Sequence, residues 1–240
     1  MVELSSLSIG YRIGKKNGSR KRVIAGNINA VLKPGTLACL VGVNGVGKST
    51  LLRTIAGFLP PIEGDVLISR NTDVKPIPIG VLTENQRARV IGVVLTEYGE
   101  LNNLTAFDVV SFGRTPYTGF WGILNQDDNR VIIEAFQKVG ILELMNRQIN
   151  ELSDGERQKV MIAKTLAQET SIIILDEPSA FLDYPSKHSL MMLLKELASI
   201  QNKAILMSSH DLDIVRKYVD SFWIMEKGPE SVSLRASKGI

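Results

Sequence analysis

Apolar residues in this chain fall into two kinds of run. Short runs, continuous or alternating and bounded by glycine, proline or polar clusters, predict strands over Val2–Tyr11, Val23–Leu32, Thr36–Val43, Val66–Ile68, Val90–Leu95, Ser171–Asp176, Ala204–Ser208 and Ser221–Met225. Runs with apolar positions three and four apart predict helices. The clearest is Gln126–Val139, where Val131, Ile132, Ala135, Phe136 and Val139 share one face. Asn125 caps it, Asp127 and Asp128 occupy its first turn, and Gly140 stops it. Lys48–Ala56, Ala106–Phe112 behind a Thr105 cap, Pro185–Asn202 and Leu212–Val219 also read as helical. Ser153-Asp154-Gly155-Glu156 is a capping box opening a helix that runs to about Glu169. Thr72–Gln86 carries two prolines and little periodicity, which predicts mostly loop.

The order of these elements sets the fold class. Strands dominate up to about residue 96, helices fill 97–170, and strands then alternate with helices from 171 to 240. Alternation implies a mainly parallel sheet covered on both faces. Val2–Tyr11 and Val23–Leu32, joined by a basic tip, add an antiparallel portion at the N-terminus. The expectation is one α/β domain over 1–240, with a core of 1–96 and 171–240 and a helical insertion of 97–170.

Composition adds little that contradicts this. A chain of 240 residues can bury a large core without staples. The single cysteine, Cys39, lies in an apolar strand and has no intrachain partner, which suits a reducing compartment. No basic segment followed by an apolar core opens the chain, so no signal peptide is expected. No apolar run reaches the length of a membrane helix. The net charge of +3 is spread out except at Lys15–Arg22. That cluster reads as a solvated hairpin tip; the alternative, a nucleic-acid patch, is the weaker reading, and no nucleic-acid partner is expected.

The chemistry begins at Gly42-Val43-Asn44-Gly45-Val46-Gly47-Lys48-Ser49-Thr50. This is the pattern G-x-x-x-x-G-K-[ST] between a buried strand and a helix, the P-loop setting that aims backbone N–H groups at polyphosphate. Lys48 would neutralise the β- and γ-phosphates, and Ser49 would hold Mg²⁺. Two further strand ends carry reactive groups: Asp176-Glu177, and Ser209-His210-Asp211. Asp176 can hold Mg²⁺ through water, Glu177 can polarise an attacking water, and His210 can contact the γ-phosphate. Tyr11 ends the first strand and can stack on a flat base, though alone it equally fits a strand-edge aromatic.

Five of these segments together resemble the ATP-binding-cassette ATPases. Leu152-Ser153-Asp154-Gly155-Glu156-Arg157-Gln158 resembles their signature motif, Ile172–Glu177 their Walker B strand, and Ser179–Asp183 their D-loop. His210 matches their switch histidine and Tyr11 their adenine-stacking aromatic. The resemblance implies ATP and Mg²⁺ as ligands and a head-to-tail homodimer in which Ser153 and Gly155 of one chain face the γ-phosphate held by the other. A capping-box helix start, read as an anion site that needs an anion, agrees with that arrangement. Two positions depart from the family pattern. Asp154 stands where the family often has glycine, and Thr96, followed by Glu97, stands where the family has a Gln that touches Mg²⁺.

Val109–Tyr117 followed by Asp127-Asp128 resembles the helical region of importer ATPases for iron chelates, haem and vitamin B12. That resemblance implies integral membrane permease subunits as partners, a substrate-binding protein reached through them, and a peripheral position on the cytoplasmic membrane face. Phe120-Trp121 reads either as part of a groove for a permease helix or as local loop packing. A soluble cassette ATPase acting as scaffold or regulator is the alternative function. A GTP switch is disfavoured because no N-K-x-D stretch is present.

Overall fold

The computed structural model describes residues 1–13, 20–69, 75–95, 101, 103–119, 121–228 and 232–237. The centre of the basic tip, together with Thr96, Glu97 and Phe120, lies outside the described residues.

Three runs with no polar alternation make the middle of the sheet's parallel part: Leu37–Val41 (β3), Ile172–Leu175 (β7) and Ala204–Ser208 (β8), each buried along its whole length. Burial on both faces is why they read as unbroken apolar runs. Their side chains divide with period two. Ala38, Leu40, Ile172, Ile174, Ala204 and Leu206 join one core cluster, which also holds Leu51, Leu52 and Ile55 of a helix Lys48–Ile55 (α1). Leu37, Cys39, Ile173, Leu175, Ile205 and Met207 join a second, with Leu190, Leu194 and Leu197 of a helix Tyr184–Ser199 (α6). The Cys39 thiol is buried there, and burial pushes its pKa up to about 12, so it packs as a hydrophobe.

The remaining strands are Val2–Ile13 (β1), Arg20–Leu32 (β2), Glu63–Ile68 (β4), Ile77–Pro78 (β5), Ile91–Val94 (β6), Ser221–Lys227 (β9) and Val232–Ser237 (β10). One sheet holds all of them in the order β5-β4-β1-β2-β10-β9-β3-β8-β7-β6. It is parallel from β9 through β3, β8 and β7 to β6, and antiparallel from β5 through β4 and β1 to β2. The mixed α/β fold with an N-terminal antiparallel portion is as the pattern implied. A third cluster sits among Ala106–Ser111 (α3), Gln126–Val139 (α4) and Asp154–Ala167 (α5), built on Val109, Val110, Ile132, Phe136, Val160 and Ala163.

Several boundaries differ from expectation. β1 and β2 extend into the basic tip, so Arg20, Lys21 and Arg22 are strand residues. Residues 79–81 form a 3₁₀ turn and Glu84–Ala88 a short helix (α2), where loop was expected. α2 buries none of its residues, which is why apolar periodicity missed it; its Thr83/Gln86 capping box was the available sign. The last helix is only Leu212–Val215 (α7). Ser221–Met225 is not the final strand, because β10 follows it, its apolar Val232, Leu234 and Ala236 alternating with polar residues rather than forming a continuous run.

Candidate functional site

The parallel register brings four strand ends side by side. Leu40 pairs with Ser208, Leu175 with Met207, and Val94 with Leu175. The chain therefore leaves β3, β8 and β7 at one rim, carrying the 42–49 loop, Ser209-His210 and Asp176-Glu177. That is the rim where open α/β sheets hold ligands.

At this rim α1 begins without a side-chain cap. Its N-cap is Gly47, at φ 112°, and a Cβ there would come within 2.7 Å of Ile24. No acid stands in its first turn, whereas α4, α5 and α6 are each capped by a side chain. The first-turn N–H groups thus keep their field for an outside anion. Lys48 is buried; its ammonium curls over the loop and donates to the carbonyls of Gly42 (2.8 Å) and Val43 (3.4 Å). Burial lowers its pKa, and the charges of Glu177 and Asp176 partly oppose that shift, so all three groups share one field. Val43, Asn44, Gly45 and Ser49 face outward, while Val46 packs into the core and offers a ligand only its backbone. Thr50 is also turned in, its hydroxyl 3.2 Å from that of Tyr11. This bond sets the half-exposed Tyr11 ring beside the start of α1.

Asp176 and Glu177 are placed by a residue that the sequence reading passed over. Ser208, fully buried at the end of β8, donates its hydroxyl to Asp176 Oδ1 at 2.6 Å and accepts the Glu177 N–H at 2.9 Å. Asp176 N–H also donates to the carbonyl of Val94 at 2.8 Å. Glu177 itself lies at φ 50°, a left-handed conformation that costs a non-glycine residue about 1–3 kcal/mol. The turn aims its carboxylate at His210, with Oε1 2.6 Å from Nε2. A serine at the end of an apolar strand looks like the end of a strand, and its partners lie 31 and 32 residues away, so local sequence gave no sign of it.

The start of α5 departs from expectation in one respect. Ser153 accepts from Glu156 N–H, and the Glu156 carboxylate accepts both the Ser153 N–H and hydroxyl at 2.8 Å. These bonds hold the Glu156 pKa below the usual carboxylate range. The capping box is therefore satisfied within the chain and does not by itself call for an outside anion. What it leaves is the first-turn N–H groups of Asp154 and Gly155. Asp154 turns along the helix to Arg157, 3.3 Å away. A Cβ on Gly155 would sit 3.0 Å from the carbonyl oxygen of Phe181, so glycine lets α5 start against the 179–183 loop. The three nearest atoms to that position belong to Phe181 and Leu182, so the start of α5 packs on the 179–183 loop.

The donor set suits Mg²⁺ bound to polyphosphate. It offers an exposed hydroxyl at Ser49 and a buried carboxylate at Asp176. No cluster of three or more His, Cys, Asp or Glu able to hold a metal occurs among the described residues. Magnesium takes few protein oxygens and completes its shell with phosphate and water, so this sparse set fits it better than an all-protein cage would. Thr96, the third expected ligand, lies outside the described residues.

Comparison with known proteins gives a consistent picture. The profile of the ABC transporter family matches residues 25–180. The uncharacterized ABC transporter ATP-binding protein MJ0873 of Methanocaldococcus jannaschii is 39% identical over 228 residues, covering 94% of this chain and 73% of that one. The iron(3+)-hydroxamate import ATP-binding protein FhuC of Bacillus subtilis is 32% identical over 228 residues, covering 95% and 80%. Among solved structures, the dimeric post-hydrolysis state of the ATP-binding cassette MJ0796 bound to ADP and Pi superposes with a TM-score of 0.82 at 26% identity, over 99% of this chain and 98% of that one.

Proposed function

Because the chain belongs to the ABC transporter family and is one of its ATPases, we propose that it powers a membrane importer for a metal chelate of the iron-siderophore, haem or vitamin B12 kind. The observation that carries the ATPase half is the shared rim, where the uncapped start of α1, Lys48, Asp176, Glu177 and His210 meet. The import half is supported by the likeness to a hydroxamate-import ATP-binding protein.

In this reading Lys48 leaves the carbonyls of Gly42 and Val43 and neutralises the β- and γ-phosphates of ATP. The N–H groups of the Gly42–Thr50 loop and first turn cradle the same oxygens. Tyr11 offers its ring face to adenine. Ser49 would hold Mg²⁺ directly and Asp176 through water, and the ion, when bound, would neutralise charge on the phosphate oxygens. Glu177 accepts a proton from the attacking water, and His210 holds the Glu177 carboxylate in line while reaching the γ-phosphate. In this reading Ser153 and Gly155 do not serve their own chain's phosphate loop. A second copy, packed head to tail, presents its Asp154 and Gly155 N–H groups to the γ-phosphate instead.

No helix among the described residues is long and apolar enough to cross a membrane. The chain in this reading sits on the cytoplasmic membrane face through permease subunits, which a substrate-binding protein loads from the other side. Trp121, 83% exposed, and Ile123, 76% exposed, precede α4 and offer apolar contact to such a permease. The test is uptake. The chain is reconstituted in vesicles with a permease that co-purifies with it, and ferric siderophore, haem and cobalamin are supplied with their binding proteins. ATP-dependent accumulation of one of them is expected; ATP hydrolysis without accumulation of any, and without a co-purifying permease, would favour the soluble-regulator alternative.

A further inference from the structure

Lys187 stands where a helix gives no reason for a lysine. It lies in the first turn of α6, behind the Asp183 cap that accepts from Ser186 N–H at 3.2 Å. The N-terminal end of a helix dipole disfavours a cation by a few tenths of a kcal/mol or more. Its partner is far along the chain: Lys187 Nζ sits 2.5 Å from Asp211 Oδ2. The two side chains are 22% and 39% exposed, which shields the pair more than an ordinary surface ion pair.

Asp211 is equally out of place. It holds the N-cap position of α7, where aspartate ordinarily accepts a bond from the first-turn N–H groups. No such bond is made; the carboxylate turns to Lys187 instead, and the Asp211 N–H donates to Ser209 Oγ at 3.0 Å. Between Ser209 and Asp211 stands His210, 2.6 Å from Glu177. Lys187, Ser209, His210, Asp211, Glu177 and Ser179 line one polar cleft of about 320 Å³.

We propose that Lys187 is a positioning residue for hydrolysis: by drawing the Asp211 carboxylate away from the α7 cap, it fixes the backbone turn that keeps His210 against Glu177. The inference rests on the roles given above to Glu177 and His210. Without the ammonium, the Asp211 side chain is free to cap α7. Its backbone then rotates toward ordinary N-cap geometry and swings His210 off the Glu177 carboxylate. No hydrogen bond or ion pair among the described residues joins Lys187 to the phosphate loop or the start of α1, so nucleotide affinity is spared. A gained α7 cap offsets the lost ion pair, so stability is spared as well.

The experiment compares Lys187→Met, Lys187→Arg and Glu177→Gln with the unmodified chain, by steady-state ATPase kinetics and thermal unfolding. The expected result for Lys187→Met is a kcat lower by about tenfold or more, up to the roughly 10²-fold that a 1 Å misplacement of a catalytic group can cost. Its KM for ATP should stay within about twofold and its melting temperature near that of the parent, while Lys187→Arg recovers most of kcat. A Lys187→Met protein with unchanged kcat would overturn the proposal. So would a loss that arginine does not rescue, or one accompanied by a raised KM and a lowered melting temperature, which would mark a merely structural lysine. Full turnover in Glu177→Gln would instead remove the site reading on which the proposal stands.

Discussion

At Ser208 one hydroxyl serves two neighbours, Asp176 and the left-handed Glu177. Ser208→Ala leaves a buried carboxylate oxygen and a backbone N–H each short of a bond, a loss of about 1–3 kcal/mol. The expected outcome is a kcat lower by about tenfold and a higher Mg²⁺ concentration for half-maximal rate, with ATP binding nearly unchanged. A Mg²⁺ titration of the ATPase rate checks it, and a curve superimposable on the parent's would show that Ser208 does not place these carboxylates. Residues at this scale were legible in proportion to how local their signal is. The phosphate loop carries its pattern within nine consecutive positions, and Asp176, Glu177 and His210 end or follow apolar strands. Ser208, Lys187 and Asp211 act through partners more than twenty positions away, which nothing in a single strand or turn encodes.

At the scale of elements, caps were the most readable feature. Thr105, Asn125 and Ser153 each form the capping box or cap that their spacing implied. What joins those helices was not readable. Gly113–Gly119 carries no helical apolar spacing, yet Arg114 within it is a buried hub. Its guanidinium lies 2.8 Å from Asp128 and 2.7 Å from Glu169, donates to the carbonyl of Ala167, and stacks on Tyr117. It thereby ties the end of α3 to the start of α4 and the end of α5. Arg114→Met strands a buried Asp128, and such a loss costs about 3–5 kcal/mol. A melting temperature lower by roughly 6–20 °C is expected for a chain of this size. Burial raises the Asp128 pKa, but the Asn125 bond and Arg114 outweigh it and hold the carboxyl below its usual range. A depressed pKa contributes stability above the ordinary carboxylate range, lost as pH falls through the folded value. Without Arg114 that loss begins at higher pH. Thermal unfolding between pH 3 and 7 measures both effects; equal melting curves would place the network outside the folding core.

For the whole molecule, the alternation of strand and helix was enough to give the fold class, because runs buried on two faces cannot hide their apolarity. Strand order was not legible, since it depends on crossovers between segments far apart: β3 lies between β8 and β9, and β10 sits beside β2. That order puts the phosphate loop, Glu177 and His210 at one rim, and leaves Ser153 and Gly155 against the 179–183 loop. The central claim is that this rim hydrolyses ATP with Glu177 as base, in a site that a second copy completes. In the proposed mechanism Lys48 and the loop amides supply affinity, whereas Glu177 acts on water alone. The most direct test is therefore Glu177→Gln, in which ATP binding, ATP-dependent dimer formation on size exclusion, and turnover are measured on one preparation. The account predicts unchanged binding, a dimer that accumulates with ATP, and turnover lower by about a hundredfold or more, the scale of a lost general base. Turnover at the parent's rate from a monomer would contradict it.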